Sequence, residues 1–344
     1  MFEFSQLAVP IVQAPMAGGL NTPQLAAAVA NAGGVGSFGF AYTRADKIAA
    51  DLAKTRALTQ GPINANFFVF QPVESPSKKV LASALQALSE LPLEVSGELV
   101  IPTSPFFPDL EQQLDAVWAH PPEILTFHFG LPSSALIHSA HSKGICVGVS
   151  ATNKEEGTAI EKSGADFIVA QGIEAGGHRG IFDPLACDSE LPMADLVKQL
   201  VDATTLPIVA AGGLMTGQEI GGAIDLGAAA VQMGTAFLCC EEAGTSATYR
   251  QMLLSKEGRN TVYTSGFSGR RAQGIENQFI RLMENKPTLA FPIQNTLTGP
   301  IRKQANVDND PEYQSLWAGR GYAKSRSMPV SELMQVLQSE MEQF

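Results

Sequence analysis

Eight short apolar runs, most of them separated by a helical stretch, constrain this chain more than any other feature. They fall at 10–16, 35–40, 63–68, 124–129, 146–151, 167–170, 207–211 and 229–233. Short, almost uniformly apolar runs bounded by turns read as strands buried on both faces, as in parallel sheets. The stretches between them carry helix signals. Thr22 can cap a helix whose first position is Pro23, and Gly33 can stop it. Further helices are expected over 44–55, 79–88, 154–163 and 193–203, and from about 218. Eight strands alternating with helices predict an α/β fold, a TIM (β/α)8 barrel.

Such a barrel takes about 250 residues, and this chain has 344. The surplus points to an insertion. Residues 241–310 are more polar, carry Arg250, Arg259, Arg270 and Arg271, and end in a proline-punctuated tail. They are expected to form a second, smaller, α-rich inserted domain that serves as a lid or substrate domain. That leaves 1–240 and 311–344 to the barrel. Prolines also break up 71–115, where a helix over 79–88 opens a long excursion. The last helix is expected over 331–342, with Ser331 as its N-cap and Leu333, Val336, Leu337 and Met341 facing the barrel.

The charge balance limits the partners. A formal net charge of −11 repels phosphate backbones and anionic membranes. A bound phosphate must then be held by backbone amides and not by a basic patch. Cys146, Cys187, Cys239 and Cys240 show neither a disulfide framework nor zinc-ligand spacing. The first residues lack the basic start and apolar core of a signal peptide, and no apolar run reaches the roughly 18 residues of a membrane span. A cytoplasmic protein, monomeric or homodimeric, is expected.

In barrels of this class, chemistry sits at the C-terminal ends of the strands, and the loops after strands seven and eight often hold a phosphate. Here those loops are 212–217, which opens on Gly212-Gly213, and 234–235, Gly234-Thr235. Both can turn backbone N–H groups toward an anion near a helix N-terminus. Strand one ends in Pro15-Met16-Ala17, strand three presents Asn66, and strand six ends in Gln171. A flat ligand with a phosphate tail can span these positions, and flavin mononucleotide (FMN) fits. Gln171 leads into the glycine-rich stretch 172–180, which carries His178, a side chain able to move a proton near neutral pH. His128, in strand four, is a second candidate. The glycines at 34, 36 and 39 match G-x-G-x-x-G, but they follow a helix and lie in a strand. That context is the reverse of a dinucleotide fingerprint.

The runs QAPMAGG (13–19), ANFF (65–68), GADFIVAQGIEAGGHRG (164–180), PIVAAGG (207–213) and VQMGTAF (231–237) resemble the class I nitronate monooxygenases, formerly called 2-nitropropane dioxygenases. The likeness covers essentially the whole barrel, and QGIEAGGHRG is its most diagnostic piece. It implies FMN contacts at Asn66, Gln171, Gly176, Gly213, Gln232, Met233, Gly234 and Thr235, and near Pro15, Met16 and Ala17; the adjacent Gly177 and Gly212 are expected at the cofactor as well. It gives His178 the catalytic position. The implied reaction is oxidation of an alkyl nitronate, such as propionate 3-nitronate, with O2 to an aldehyde (malonic semialdehyde) plus nitrite and nitrate, without NAD(P)H or metal. His178 would act as base on a neutral nitroalkane, or position a nitronate anion. Arg179 is a further candidate for holding anions, or else a solvated surface residue. Arg270, Arg271 and residues 291–295 are candidates for substrate contact from the insertion. Two other readings share the barrel: an NAD(P)H-dependent FMN reductase of quinones or enoyl thioesters, and a non-catalytic flavin-binding protein.

Overall fold

The computed structural model describes residues 1–92, 99, 101–255 and 258–343. Parts of the expected 71–115 excursion and of the 241–310 insertion therefore lie outside the described residues. All eight expected strands form: β1 (Ile11–Gln13), β2 (Gly36–Gly39), β3 (Ile63–Phe68), β4 (Ile124–His128), β5 (Cys146–Ala151), β6 (Phe167–Gln171), β8 (Ile208–Ala211) and β9 (Ala230–Met233). They run in the order β1-β9-β8-β6-β5-β4-β3-β2, every pairing parallel. A parallel bridge between Val12 and Val35 brings the two edges together, with Gln13 N donating to Val35 O at 2.9 Å. The sheet is thus a closed (β/α)8 barrel, and no open edge is left for pairing with another chain.

The helices form where caps and apolar spacing ask for them. Helix Pro23–Asn31 starts at Thr22, whose hydroxyl accepts from Leu25 N at 3.0 Å. Helix Leu110–Ala119 was hidden among the prolines of 71–115, yet its signal is present. Asp109 caps it, with Leu114 and Val117 on the buried face. The final helix spans Val330–Glu342, not 331–342, and Ser331 is not its cap. Pro329 stands at that position, and the carboxylate of Glu242 instead accepts from Val330 N at 3.1 and 3.2 Å. Leu333, Met334 and Leu337 carry the burial, while Val336 is only half-buried.

The insertion is not purely helical. It adds β10 (Thr261–Thr264) and β11 (Ala272–Ile275), an antiparallel pair, beside helices that include Ala247–Leu254, Gln278–Leu282 and Gly299–Val307. β11 also pairs antiparallel with a two-residue strand, β7 (Gly177–His178), opposing Ala272 to His178. The loop that carries His178 is therefore stitched to the insertion by main-chain hydrogen bonds. A separate apolar core supports this region. Phe267 and Phe279 stack at 4.0 Å, with Met283, Leu289, Ile293, Leu297 and Ile301 around them. Helix Lys78–Ser89, from the excursion after β3, contributes Ala84, Ala87 and Leu88 to that same core. No helix among the described residues is long and apolar enough to cross a membrane.

Candidate active site

The C-terminal ends of the barrel strands open into a cavity of about 510 Å³, within the range of small-molecule sites. All fourteen residues expected at the site line it: Pro15, Met16, Ala17, Asn66, Gln171, Gly176, Gly177, His178, Gly212, Gly213, Gln232, Met233, Gly234 and Thr235. They arrive from β1, β3, β6, β8 and β9 and the loops that follow, so closure of the barrel brings most of them together, and β11 of the insertion also holds Gly177 and His178.

At one end the wall is backbone. Gly213 sits at φ +70°, a conformation costly for any side chain. The N–H groups of Gly213, Gly234 and Thr235 donate to no other backbone group among the described residues. Gly176 lies so close to the 318–319 segment that a Cβ there would come within 2.5 Å of Ala318 C and Gly319 N. Gly319 N in turn donates to Thr235 Oγ1 at 3.1 Å. The outcome is a side-chain-free cradle of free amides, which fits a phosphate on an acidic protein. The nearby helix N-terminus is not part of it. Helix Gly217–Asp225 is closed by a Thr216–Glu219 capping box, and Glu340 takes Gly217 N at 2.7 Å.

Polar side chains line the inner wall. Asn66 Nδ2 donates to Thr126 Oγ1 and O at 3.0 and 3.2 Å, which leaves its Oδ1 as an acceptor for a ligand. Gln171 is more heavily engaged. Its Nε2 donates to His178 O at 3.0 Å, and its Oε1 accepts from Gly180 N at 2.7 Å. Its amide braces the loop that carries His178.

His178 sits among Phe68, Phe291 and Trp317, with ring centroids 6.2, 5.4 and 5.7 Å away. Its Nε2 is 2.9 Å from Ser268 Oγ, in the insertion. His128 also lines the cavity, and its Nε2 donates to His178 O at 3.2 Å. Burial pushes both imidazoles down to about 3, so both rings are neutral near pH 7.

Two residues without a sequence motif complete the wall. Tyr42, after β2, and Arg302, on helix Gly299–Val307, both line the cavity. Tyr42 Oη and Arg302 Nε are buried without a hydrogen-bond partner. Arg302 Nη2 reaches Asn295 O and, at 3.1 Å, Asn295 Oδ1, and no carboxylate among the described residues pairs with it. The charge of Arg302 bears on both Tyr42 and His178. Burial raises the Tyr42 phenol, so it stays protonated and can donate.

The arginines singled out from the sequence lie elsewhere. Arg179 is 2% exposed, which rules out a solvated surface role. Its Nε and Nη2 bind Asp188 at 2.9 and 3.1 Å and its Nη1 binds Gln171 O, so its guanidinium is spent on the protein. Arg270 stacks over Phe129 at 3.7 Å and bonds Ile181 O. Arg271 pairs with Asp188 at 3.0 Å and with Glu190. Neither lines the cavity. Asn295, within the 291–295 candidate stretch, does.

Comparison with known proteins gives the family. The family model described as nitronate monooxygenase matches residues 2–340. The chain belongs to the nitronate monooxygenase family. A nitronate monooxygenase of Paraburkholderia phytofirmans is 39% identical over 343 residues, covering 97% of this chain and 92% of its own. One from Pseudomonas aeruginosa is 38% identical, with 96% of each chain covered. Among solved structures, a nitroalkane oxidase from Streptomyces ansochromogenes superposes with a TM-score of 0.91 at 35% identity, covering 99% of this chain and 97% of that one. FabK from Thermotoga maritima, with a TM-score of 0.76 and 24% identity, shares the fold. As a family member the chain is a flavin-dependent oxidoreductase, and the cavity's amide cradle and polar inner wall suit such a cofactor.

Proposed function

We propose that this chain is an FMN-dependent nitronate monooxygenase. It would oxidise alkyl nitronates such as propionate 3-nitronate with O2, giving an aldehyde plus nitrite and nitrate. The free amides of Gly213, Gly234 and Thr235 would hold the FMN phosphate, Asn66 Oδ1 would accept from the ring edge, and Met16 would cover one ring face. The chemistry a flavin held there would supply is electron transfer from the nitronate to O2. The protein's own groups bind and orient the substrate. One observation carries this reading: Arg302 and Tyr42 line the cavity that His178 also lines, and each keeps a buried polar atom, Arg302 Nε and Tyr42 Oη, without a hydrogen-bond partner. An anion entering the cavity would satisfy both and offset the burial of a lone charge. Trp317, Phe68 and Phe291 would keep water from the reacting carbon. In this reading residues 241–310, together with helix Lys78–Ser89, act as the lid.

The test is oxygen uptake by the purified yellow protein with propionate 3-nitronate, beside an NADH assay with an added quinone. Rapid uptake with nitrite release and no NADH oxidation supports the proposal. Rapid NADH oxidation without nitronate-dependent uptake overturns it in favour of a reductase.

A further inference from the structure

The position of one proton on His178 follows from the hydrogen bonds of a serine outside the barrel. Ser268 is 1% exposed and lies on the loop between β10 and β11. Its hydroxyl has one proton and two lone pairs. Ser268 Oγ lies 2.9 Å from Arg270 O, a carbonyl that can only accept, so the serine proton goes there. Arg270 N donates back to the same Oγ at 3.3 Å and occupies one lone pair. The remaining contact is His178 Nε2 at 2.9 Å, which must therefore be the donor.

We propose that Ser268 is a positioning residue that fixes His178 as the Nε2–H tautomer and presents a bare Nδ1 to the substrate. His178 Nδ1 has no protein partner among the described residues, and His178 lines the cavity. A proton taken from a substrate C–H or from solvent then lands on Nδ1, while Nε2–H stays on the serine. The resulting imidazolium can donate from Nδ1 to a nitronate oxygen. The surroundings resist any ring flip. Phe68, Phe129, Phe291 and Trp317 crowd the ring, with centroids 6.2, 5.8, 5.4 and 5.7 Å away, while Gln171 and His128 donate to His178 O and β7 pairs with β11, which holds the backbone beneath it. The serine's own loop is pinned, because Gln294 Nε2 binds Gly266 O at 2.9 Å and Thr298 Oγ1 binds Phe267 O at 2.5 Å. Burial keeps the ring neutral before substrate arrives, so a single tautomer is the state that binds. The reactive nitrogen of a barrel residue is thus chosen by the insertion.

The involvement of Nδ1 in turnover rests on the proposed function, but the tautomer does not. Ring nitrogen–proton correlation spectra of ¹⁵N-histidine-labelled holoenzyme read it directly, and His178→Asn identifies the signal among five histidines. The expected spectrum has a protonated Nε2 and a pyridine-type Nδ1. Ser268→Ala should mix the two forms and lower kcat by roughly 10- to 100-fold, with no further loss when added to His178→Asn. A wild-type ring protonated at Nδ1, or a Ser268→Ala protein with unchanged tautomer and kcat, overturns the proposal. Ser268→Ala costing as much in the His178→Asn background as alone would also overturn it. A protein that shows the expected spectrum but no nitronate turnover would sink the functional reading and leave the role of Ser268 standing.

Discussion

At the scale of single residues, the site separates groups that announce themselves from groups that do not. His178 and the glycines could be read because a histidine in a glycine-rich loop at a strand end has few structural uses. Tyr42, Ser268 and Arg302 could not, because each gains meaning only from a partner far along the chain, or from lacking one. Ser268 meets a histidine 90 positions away. Arg302 looks like an ordinary helix-surface cation until its lack of a carboxylate is seen. Arg302→Met should raise the KM for propionate 3-nitronate by roughly 10- to 100-fold, the cost of losing a charged hydrogen bond, with bound flavin unchanged. Steady-state oxygen uptake and the flavin absorbance of the same sample decide this. An unchanged KM would remove Arg302 from substrate binding.

At the scale of elements, the eight barrel strands were legible because each is a continuous apolar run closed by a turn. β7, β10 and β11 were not. β7 has two residues, all four residues of β10 are half-buried, and β11 (AQGI) carries no apolar pattern. These strands pair because the insertion docks, not because their sequences favour a strand. The phosphate cradle depends on similarly close packing. Gly176→Ala would drive a methyl into Ala318 and Gly319 and push away the amide that holds Thr235. The variant should purify with little or no flavin and melt several degrees lower, as a clash of this kind costs roughly 1–3 kcal/mol. Full flavin content would count against the assigned cradle. Helix Gly217–Asp225 should respond differently. Thr216→Ala removes its capping box at a cost of about 1 kcal/mol, measurable by urea denaturation, with flavin content retained because that helix end does not face the ligand.

Across the whole molecule, stability should depend on pH through the two buried histidines. Their folded values near 3 lie below the ordinary 6.5. Below 6.5 the unfolded chain takes up protons that the folded chain refuses, so stability falls as pH drops toward 3. Between about pH 6.5 and 5 most carboxylates stay ionised, and the slope there belongs largely to histidine. His128→Asn should flatten it in urea denaturation at several pH values, and an unchanged slope would show that His128 is not held neutral. The second core has a consequence for how the protein is made. Helix Lys78–Ser89 offers its apolar face to a core whose buried members, Leu91 apart, begin at Phe267. During synthesis that face stays bare while most of the barrel emerges from the ribosome. A nascent chain stalled before residue 267 is therefore the form most exposed to aggregation and most in need of a chaperone.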